Sequence, residues 1–138
     1  SMLAVEDYLV SLKWAKSVGG LTGLVNRARA NAQVVWDFCA ANPWLQNLAE
    51  APEIASTTSV CLKFNDARIK DGEAFAKAVA KRLEKAGVAY DIGAYRDAPA
   101  GLRIWAGATI ETADMAALMP WLSFAYETQK ASLAKAAA

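Results

Sequence analysis

Residues 90–109 read YDIGAYRDAPAGLRIWAGAT. Apolar and polar side chains alternate on both sides of the middle of this stretch, which predicts one strand over residues 88–94 and another over 102–106. Pro99 and Gly101 interrupt the alternation, because proline lacks the N–H that a strand ladder needs and both residues favour turns. The stretch therefore predicts two strands of a sheet that are separated by a corner.

Two arginines flank the predicted corner. Arg96 and Arg103 are seven positions apart, so on one continuous strand their side chains would point to opposite faces. A bend between them lets both guanidinium groups reach one anion, and the planar guanidinium fork matches a carboxylate or a phosphate. The alternative is that both are surface arginines in ordinary ion pairs, with Asp97 as an adjacent partner for Arg96. The spacing alone leaves both interpretations open.

The other elements follow from the periodicity of the apolar residues. It predicts helices over 3–18, 21–42, 71–86 and from 112 onward, and strands over 44–48 and 57–64. Gly19 and Pro43 end the first two helices, and Asp71 can cap the third. Pro120 lies within the last helix and should kink or divide it. The alanine-rich tail, residues 130–138, is expected to fray.

This order of elements predicts an α+β fold with a three- or four-stranded, mainly antiparallel sheet and helices on one face. The 138 residues fit a single domain over 1–138, with a helical pair in 1–42 and a sheet-plus-helix part in 44–126. The helix-free face of the sheet should carry a mixture of aromatic, small and cationic side chains that suits a partner surface: Ser59, Cys61, Lys63, Arg103 and Trp105.

Composition argues against several classes of function. Fifteen basic and fourteen acidic residues are scattered along the chain, so we expect no nucleic-acid partner, and we interpret Arg27 and Arg29 as solvated charges. The chain is 55% hydrophobic, but no apolar run approaches the roughly 20 residues that cross a bilayer, so we expect no membrane partner and a cytoplasmic location. Two cysteines without any histidine predict buried reduced thiols and no metal site.

The motif GLRIW at residues 101–105, followed by GAT at 107–109, resembles the C-terminal part of the phosphoserine aminotransferases. These are class V, fold-type I enzymes that use pyridoxal phosphate. The resemblance reaches over residues 1 to about 126 through further blocks: VEDYL (5–9), LKWAK (12–16), GGL (19–21), TSVCLK (58–63) and GVAYDIG (87–93).

This resemblance implies a C-terminal domain fragment, the small domain of a fold-type I enzyme. Its partners would be a missing N-terminal domain that carries the cofactor lysine, a second copy in a homodimer and a small-molecule substrate. The full-length enzyme would transfer an amino group between glutamate and 3-phosphohydroxypyruvate to give O-phosphoserine in serine biosynthesis. The fragment alone would be inactive and bind no pyridoxal phosphate, so Lys63 has no Schiff-base role and no residue here is expected to be catalytic.

The resemblance also implies roles for three substrate-binding residues. Arg103 would bind the α-carboxylate, Arg96 the phosphate, and Tyr95 would donate a hydrogen bond to the same phosphate or simply cover the sheet edge. Tyr95 and Arg96 stand where other members carry His-Arg, and this chain has no histidine. Two alternatives stay open: another class V enzyme of the alanine–glyoxylate or serine–pyruvate type, and a free-standing α+β binding or regulatory module.

Overall fold

The computed structural model of the chain describes the backbone of residues 1–136 and the side chains of residues 1–133. Its elements follow the predicted order closely. The helices are α1 (Met2–Ser17), α2 (Gly20–Ala41), α3 (Gly72–Lys85) and α4 (Thr112–Ala136). The strands are β1 (Leu45–Asn47), β2 (Ser59–Phe64) and β3 (Leu102–Trp105). A 3-10 turn, Pro52–Ile54, lies between β1 and β2.

The sheet has three strands in the order β1-β2-β3, and both pairs are antiparallel. Val60 lies opposite Ile104, and Cys61 lies opposite Arg103. Successive side chains of a strand point to opposite faces, so this register puts Val60 and Ile104 in the core while Cys61 and Arg103 lie on the other face. The predicted α+β fold with an antiparallel sheet is confirmed, with three strands rather than four.

Three of the helices supply the rest of the core, on one face of the sheet. The buried apolar side chains are Ala32 and Val35 of α2, Phe75, Val79 and Leu83 of α3, and Met115, Met119, Leu122, Ala125 and Tyr126 of α4. The Tyr126 ring stacks on Trp44, with 3.9 Å between ring centroids, and Phe75 meets it edge to face. The helices thus cover one sheet face and leave the other available.

The predicted strand over 88–94 is wrong. In this segment the structure has a single bridge, between Gly93 and Leu102. The buried side chains are Ala89 and Ile92, which are three positions apart instead of two. Asp91 adopts φ +52, a left-handed conformation that ends any extended run. The apolar alternation therefore arises in a turn-rich segment that covers the core edge.

Pro120 does not divide the last helix, because α4 continues through it. Proline removes one intrahelical hydrogen bond, but Met119 and Leu122 beside it are buried in the core. Packing of these side chains in the core stabilises α4 as one continuous helix. Part of the tail predicted to fray, residues 130–138, is helical as far as Ala136, and its last two residues lie outside the described part of the chain.

The first helix differs from the others because α1 has no buried residue. Its large apolar side chains are all exposed: Met2, Leu3, Val5, Tyr8, Leu9, Val10, Leu12 and Trp14. A sharp turn at Gly19, with φ +101, connects α1 to α2. Across residues 1–136, no helix combines the length and the apolar character that spanning a membrane requires.

Candidate functional site

Arg103 lies on β3 and points to the helix-free face of the sheet. Its side chain is 37% exposed, and Nη2 donates to Asp91 Oδ2 over 3.4 Å. The backbone N–H of Arg103 donates to the Ile92 carbonyl at 2.8 Å, which fixes β3 against the preceding segment. The backbone is therefore well held, while the guanidinium has one long contact to an exposed carboxylate and is accessible to a ligand.

The glycine that opens the GLR motif has a packing reason. A Cβ on Gly101 would lie 1.9 Å from the Leu62 carbonyl oxygen, which is closer than any real contact. Only glycine lets the chain approach β2 this closely before β3 begins. Gly101 thus sets the register that puts Arg103 on the open face.

Tyr95 and Arg96 lie in a different environment, a concavity of about 610 Å³ between the segment 91–101 and α3. The α3 side carries two acidic and two basic residues, Glu73, Lys77, Lys81 and Glu84, so the wall has both signs of charge. Arg103 does not line this concavity, and Asp91 does. The structure brings Tyr95 and Arg96 together and connects them with Arg103 through Asp91.

The proposed pairing of Arg96 with Asp97 is not seen. Among the side chains that the structure describes, no carboxylate lies within ion-pair distance of Arg96. Tyr95 begins a tight turn in which its carbonyl accepts the N–H of Ala98, and its ring is 62% exposed. Both side chains therefore remain open to an anion from solvent or from another part of a larger protein.

Trp105 shares the open face with Arg103 and is 58% exposed. Its indole lies over the Cα of Gly107, where a Cβ would come within 2.4 Å of the ring. The interpretation of this face as a partner surface rests on Trp105, Arg103 and the half-buried Cys61 of β2.

Cys39 and Cys61 are both free thiols. Burial raises the pKa of the Cys39 thiol to about 11, so it stays protonated and inert near neutral pH.

The sequence interpretation missed a buried polar clasp formed by Arg27 and Asn31 of α2. Asn31 is fully buried, and its Nδ2 donates to the carbonyls of Ala106, Gly107 and Ile110 at 2.9–3.3 Å. The Thr112 hydroxyl donates to Asn31 Oδ1 at 2.7 Å, and Arg27 Nε donates to the Ala108 carbonyl at 2.7 Å. The prediction that Arg27 is a solvated charge is wrong, because it binds this turn, whereas Arg29 is exposed as expected.

The signal for this clasp was present in the sequence. Asn31 lies three residues after Ala28 and four before Val35, so it falls on the apolar stripe of α2. A polar side chain on a buried stripe needs buried partners. The carbonyls of a turn 75 to 79 positions later were those partners, and helix periodicity cannot identify them.

The chain matches no protein-family model. It is 51% identical over 132 residues to the phosphoserine aminotransferase of Methanosarcina barkeri (strain Fusaro / DSM 804), covering 94% of this chain and 34% of that protein. It is 52% identical over 130 residues to the phosphoserine aminotransferase of Methanosarcina mazei, again covering 34% of the relative. Both relatives are named phosphoserine aminotransferase, and nearly the whole of this chain is similar to a part of each. The chain spans about a third of the length of these relatives.

Solved structures of the family share the fold. The phosphoserine aminotransferase from Bacillus circulans subsp. alkalophilus superposes with a TM-score of 0.70 over 85% of this chain, at 18% identity. A second phosphoserine aminotransferase structure, concerned with radiation damage of its Schiff base, gives 0.69 over 84% at 16% identity. At such low identity these likenesses show the fold alone. In both cases this chain covers 30% of the solved chain.

Pyridoxal phosphate, which the family resemblance implies, needs a lysine amine and a cradle of backbone N–H groups for its phosphate. The turn from β2 to α3, residues 65–71, has no glycine, and Asp71 already accepts the Ala74 N–H at the start of α3. The turn from β3 to α4 contains Gly107, but the Trp105 indole covers its Cα. The described strand-to-helix turns therefore do not fit the cofactor's phosphate. The described residues also contain no cluster of three or more metal-ligating side chains.

Proposed function

We propose that this chain is the C-terminal domain of a pyridoxal-phosphate-dependent phosphoserine aminotransferase. The intact protein would transfer an amino group between glutamate and 3-phosphohydroxypyruvate to give O-phosphoserine, in serine biosynthesis. The identity of 51–52% to two proteins named phosphoserine aminotransferase is the observation that carries this proposal. The cofactor would bind outside the described residues, and the structure of a relative that has a Schiff base supports its use.

Arg103 would bind the α-carboxylate that every amino-acid substrate shares. Three features support this role: β3 holds its backbone, its side chain is partly exposed on the open face, and its one described carboxylate contact is long. A carboxylate can accept two parallel hydrogen bonds from the guanidinium fork, which would orient the substrate. The contribution of the domain would then be recognition and orientation of the substrate.

Arg96 and Tyr95 would bind the substrate phosphate. Arg96 has no described carboxylate partner, and Tyr95 lines the same concavity, so a guanidinium and a phenol could both donate to one anion. A second anion site favours a phosphorylated substrate over the uncharged side chains handled by alanine–glyoxylate or serine–pyruvate aminotransferases. The free-standing module is disfavoured because both relatives are about three times longer than the part aligned with this chain.

The remaining partners are the rest of the intact chain and a second copy in a homodimer, in the cytoplasm. The apolar surface of α1 and the open sheet face with Trp105 support an interface with such partners, since a helix that exposes apolar side chains around most of its circumference is usually buried in the assembled protein. Residues 1–138 would form a single domain that packs against these partners.

Amino-group transfer by the intact protein, supplied with pyridoxal phosphate, tests this function. Glutamate is the donor, and 3-phosphohydroxypyruvate, pyruvate and glyoxylate are compared as acceptors by kcat/KM. We expect the phosphorylated acceptor to be preferred by about 100-fold, because an arginine–phosphate contact contributes about 2–3 kcal/mol. A preference for pyruvate or glyoxylate would support the other class V enzymes, and no transfer to any acceptor would support a regulatory module.

A further inference from the structure

Asp91 contacts the Arg103 guanidinium and also lines the concavity that contains Tyr95 and Arg96. Within the described part of the chain it is the only residue other than glycine with a left-handed φ, at +52. Such a conformation is mildly unfavourable for a residue with a side chain, and aspartate tolerates it better than most. Backbone strain held beside candidate binding groups is a reason to look for a role.

The left-handed turn determines where the Asp91 carboxylate lies. Directly after it, the Ile92 carbonyl accepts the Arg103 N–H, and Gly93 forms a bridge with Leu102. These two backbone contacts bring the segment alongside the start of β3. The side chain of Asp91 then extends into solvent on the side of the Arg103 guanidinium, where it is 92% exposed.

The contact between Asp91 and Arg103 is easily exchanged. A single contact of 3.4 Å between the Asp91 side chain, 92% exposed, and the Arg103 side chain, 37% exposed, adds little stability. An incoming carboxylate can make two shorter, parallel hydrogen bonds with the same guanidinium. Both carboxylates cannot use the same guanidinium edge, and their like charges repel each other at this separation.

We propose that Asp91 is a placeholder for the substrate carboxylate. It orients Arg103 while no ligand is bound, and it leaves when the substrate carboxylate arrives. This inference rests on the proposed role of Arg103. Asp91 is therefore a positioning residue that weakens the binding of anionic ligands, because each ligand must first displace it.

The test uses the intact enzyme with two substitutions at this position. Asp91→Asn keeps the shape and the tolerance for a left-handed φ but removes the charge, and Asp91→Gly keeps the backbone conformation and removes the side chain. In both variants we expect the KM values for glutamate and phosphoserine to fall about 2- to 5-fold. The inhibition constant of glutarate, a dicarboxylate without an amino group, should fall by a similar factor. KM values that stay unchanged or rise in both variants would show that Asp91 is only a structural anchor.

A matched control removes the same charge from the same segment. Asp97 is adjacent to Arg96 in the sequence and has no described contact with Arg103. The KM values of Asp97→Asn should therefore stay within about twofold of the wild-type values. If Asp97→Asn lowers KM as much as Asp91→Asn, the effect is one of general charge and the placeholder role is wrong.

Arg103→Ala separates this inference from the proposed function. If Arg103→Ala leaves glutarate inhibition intact, then the carboxylate role of Arg103 fails and the placeholder fails with it. If Arg103→Ala weakens glutarate strongly while Asp91→Asn does not strengthen it, then the placeholder alone fails. With Arg103 absent, Asp91→Asn should have no further effect on glutarate, since the two residues act through one contact.

Discussion

The two ends of β3 are held in opposite ways. After the strand, the turn 106–112 is bound by Asn31 and Arg27 through five hydrogen bonds of 2.7–3.3 Å that are buried or part-buried. Before the strand, the segment 91–101 is largely exposed and reaches β3 through one bridge, which includes the hydrogen bond from Arg103 N–H to the Ile92 carbonyl, and one long ion pair. Buried partners fix a backbone, whereas exposed charges can change partners. The clasp after β3 therefore acts as scaffold, and the segment before β3 has the freedom that ligand binding requires.

The largest effect should come from breaking the clasp. Asn31→Ala would remove a hydrogen bond from each of three buried or part-buried carbonyls and from the Thr112 hydroxyl, although the Gly107 carbonyl keeps the Ile110 N–H, and it would create a small cavity. We expect a loss of about 3–5 kcal/mol in the free energy of unfolding, measured by urea denaturation. Arg29→Ala, on the exposed face of the same helix, should change it by less than about 0.5 kcal/mol. A loss below about 1 kcal/mol in Asn31→Ala would show that the clasp does not hold the turn.

Arg103→Ala should have the next largest effect, on activity rather than on folding. It would remove the proposed ligand of the common carboxylate, so kcat/KM for phosphoserine and glutamate should both fall, each by roughly 2–4 kcal/mol. Urea denaturation of the same variant should change little, because the guanidinium has a single long contact. A large loss of stability with unchanged kcat/KM would show that Arg103 has a structural role and does not bind the substrate.

Arg96→Ala should distinguish substrates that Arg103→Ala does not. We expect kcat/KM for phosphoserine to fall by about 2 kcal/mol and that for alanine hardly at all, with glutamate between them, since its distal carboxylate can use the same arginine. The measurement is the set of three free-energy differences from wild type. An equal decrease for all three substrates would mean that Arg96 stabilises the segment instead of binding the distal anion.

The smallest effect concerns a second group of hydrogen bonds, which joins Asp66 in the loop after β2 to Tyr126 of α4. Hydrogen bonds from Arg68 and Tyr126 hold the pKa of the Asp66 carboxyl well below its usual range, while burial and the hydrogen bond to Asp66 raise the pKa of Tyr126 to about 12. The depressed pKa of Asp66 stabilises the fold above pH about 4, and this contribution is lost as the pH falls below that value. The raised pKa of Tyr126 stabilises the fold below pH about 10, and this contribution is lost as the pH rises from about 10 to 12.

Tyr126→Phe should therefore flatten the stability profile at its alkaline end and lower stability near neutral pH by about 1–2 kcal/mol. Urea midpoints measured between pH 3 and 11 give the comparison. Asp97→Asn, an exposed aspartate outside this group of hydrogen bonds, should keep the wild-type slope at both ends. An unchanged alkaline slope in Tyr126→Phe would mean that another group titrates there.

The sequence predicts regular elements of this molecule better than its irregular ones. The helices α2 and α3 and the strand β2 follow from local periodicity, and Asp71 caps α3 as predicted by accepting the Ala74 N–H. The predicted strand over 88–94 was wrong because the backbone of Asp91 turns left-handed, and side-chain alternation contains no information on that angle. Local patterns therefore predict elements but miss the turns between them.

The candidate site shows the same division. The two arginines and Tyr95 were identified from the sequence, but their roles stay predictions, and their separation into an open face and a concavity depends on tertiary packing. Asp91 was not singled out, since an aspartate in an apparent strand gives no sign that it meets an arginine 12 positions later. The contacts of Asn31 and Arg27 were not predicted for the same reason, because their partners are more than 70 positions away.

Trp105 and Gly107 are coupled positions. With the indole over the Cα of Gly107, alanine at 107 would place its methyl carbon 2.4 Å from the ring unless the ring moves. Because Trp105 is 58% exposed, its indole can swing away, and alanine at 107 would then change the shape of the open sheet face. The effect of a substitution at 107 on this surface therefore depends on which side chain stands at 105.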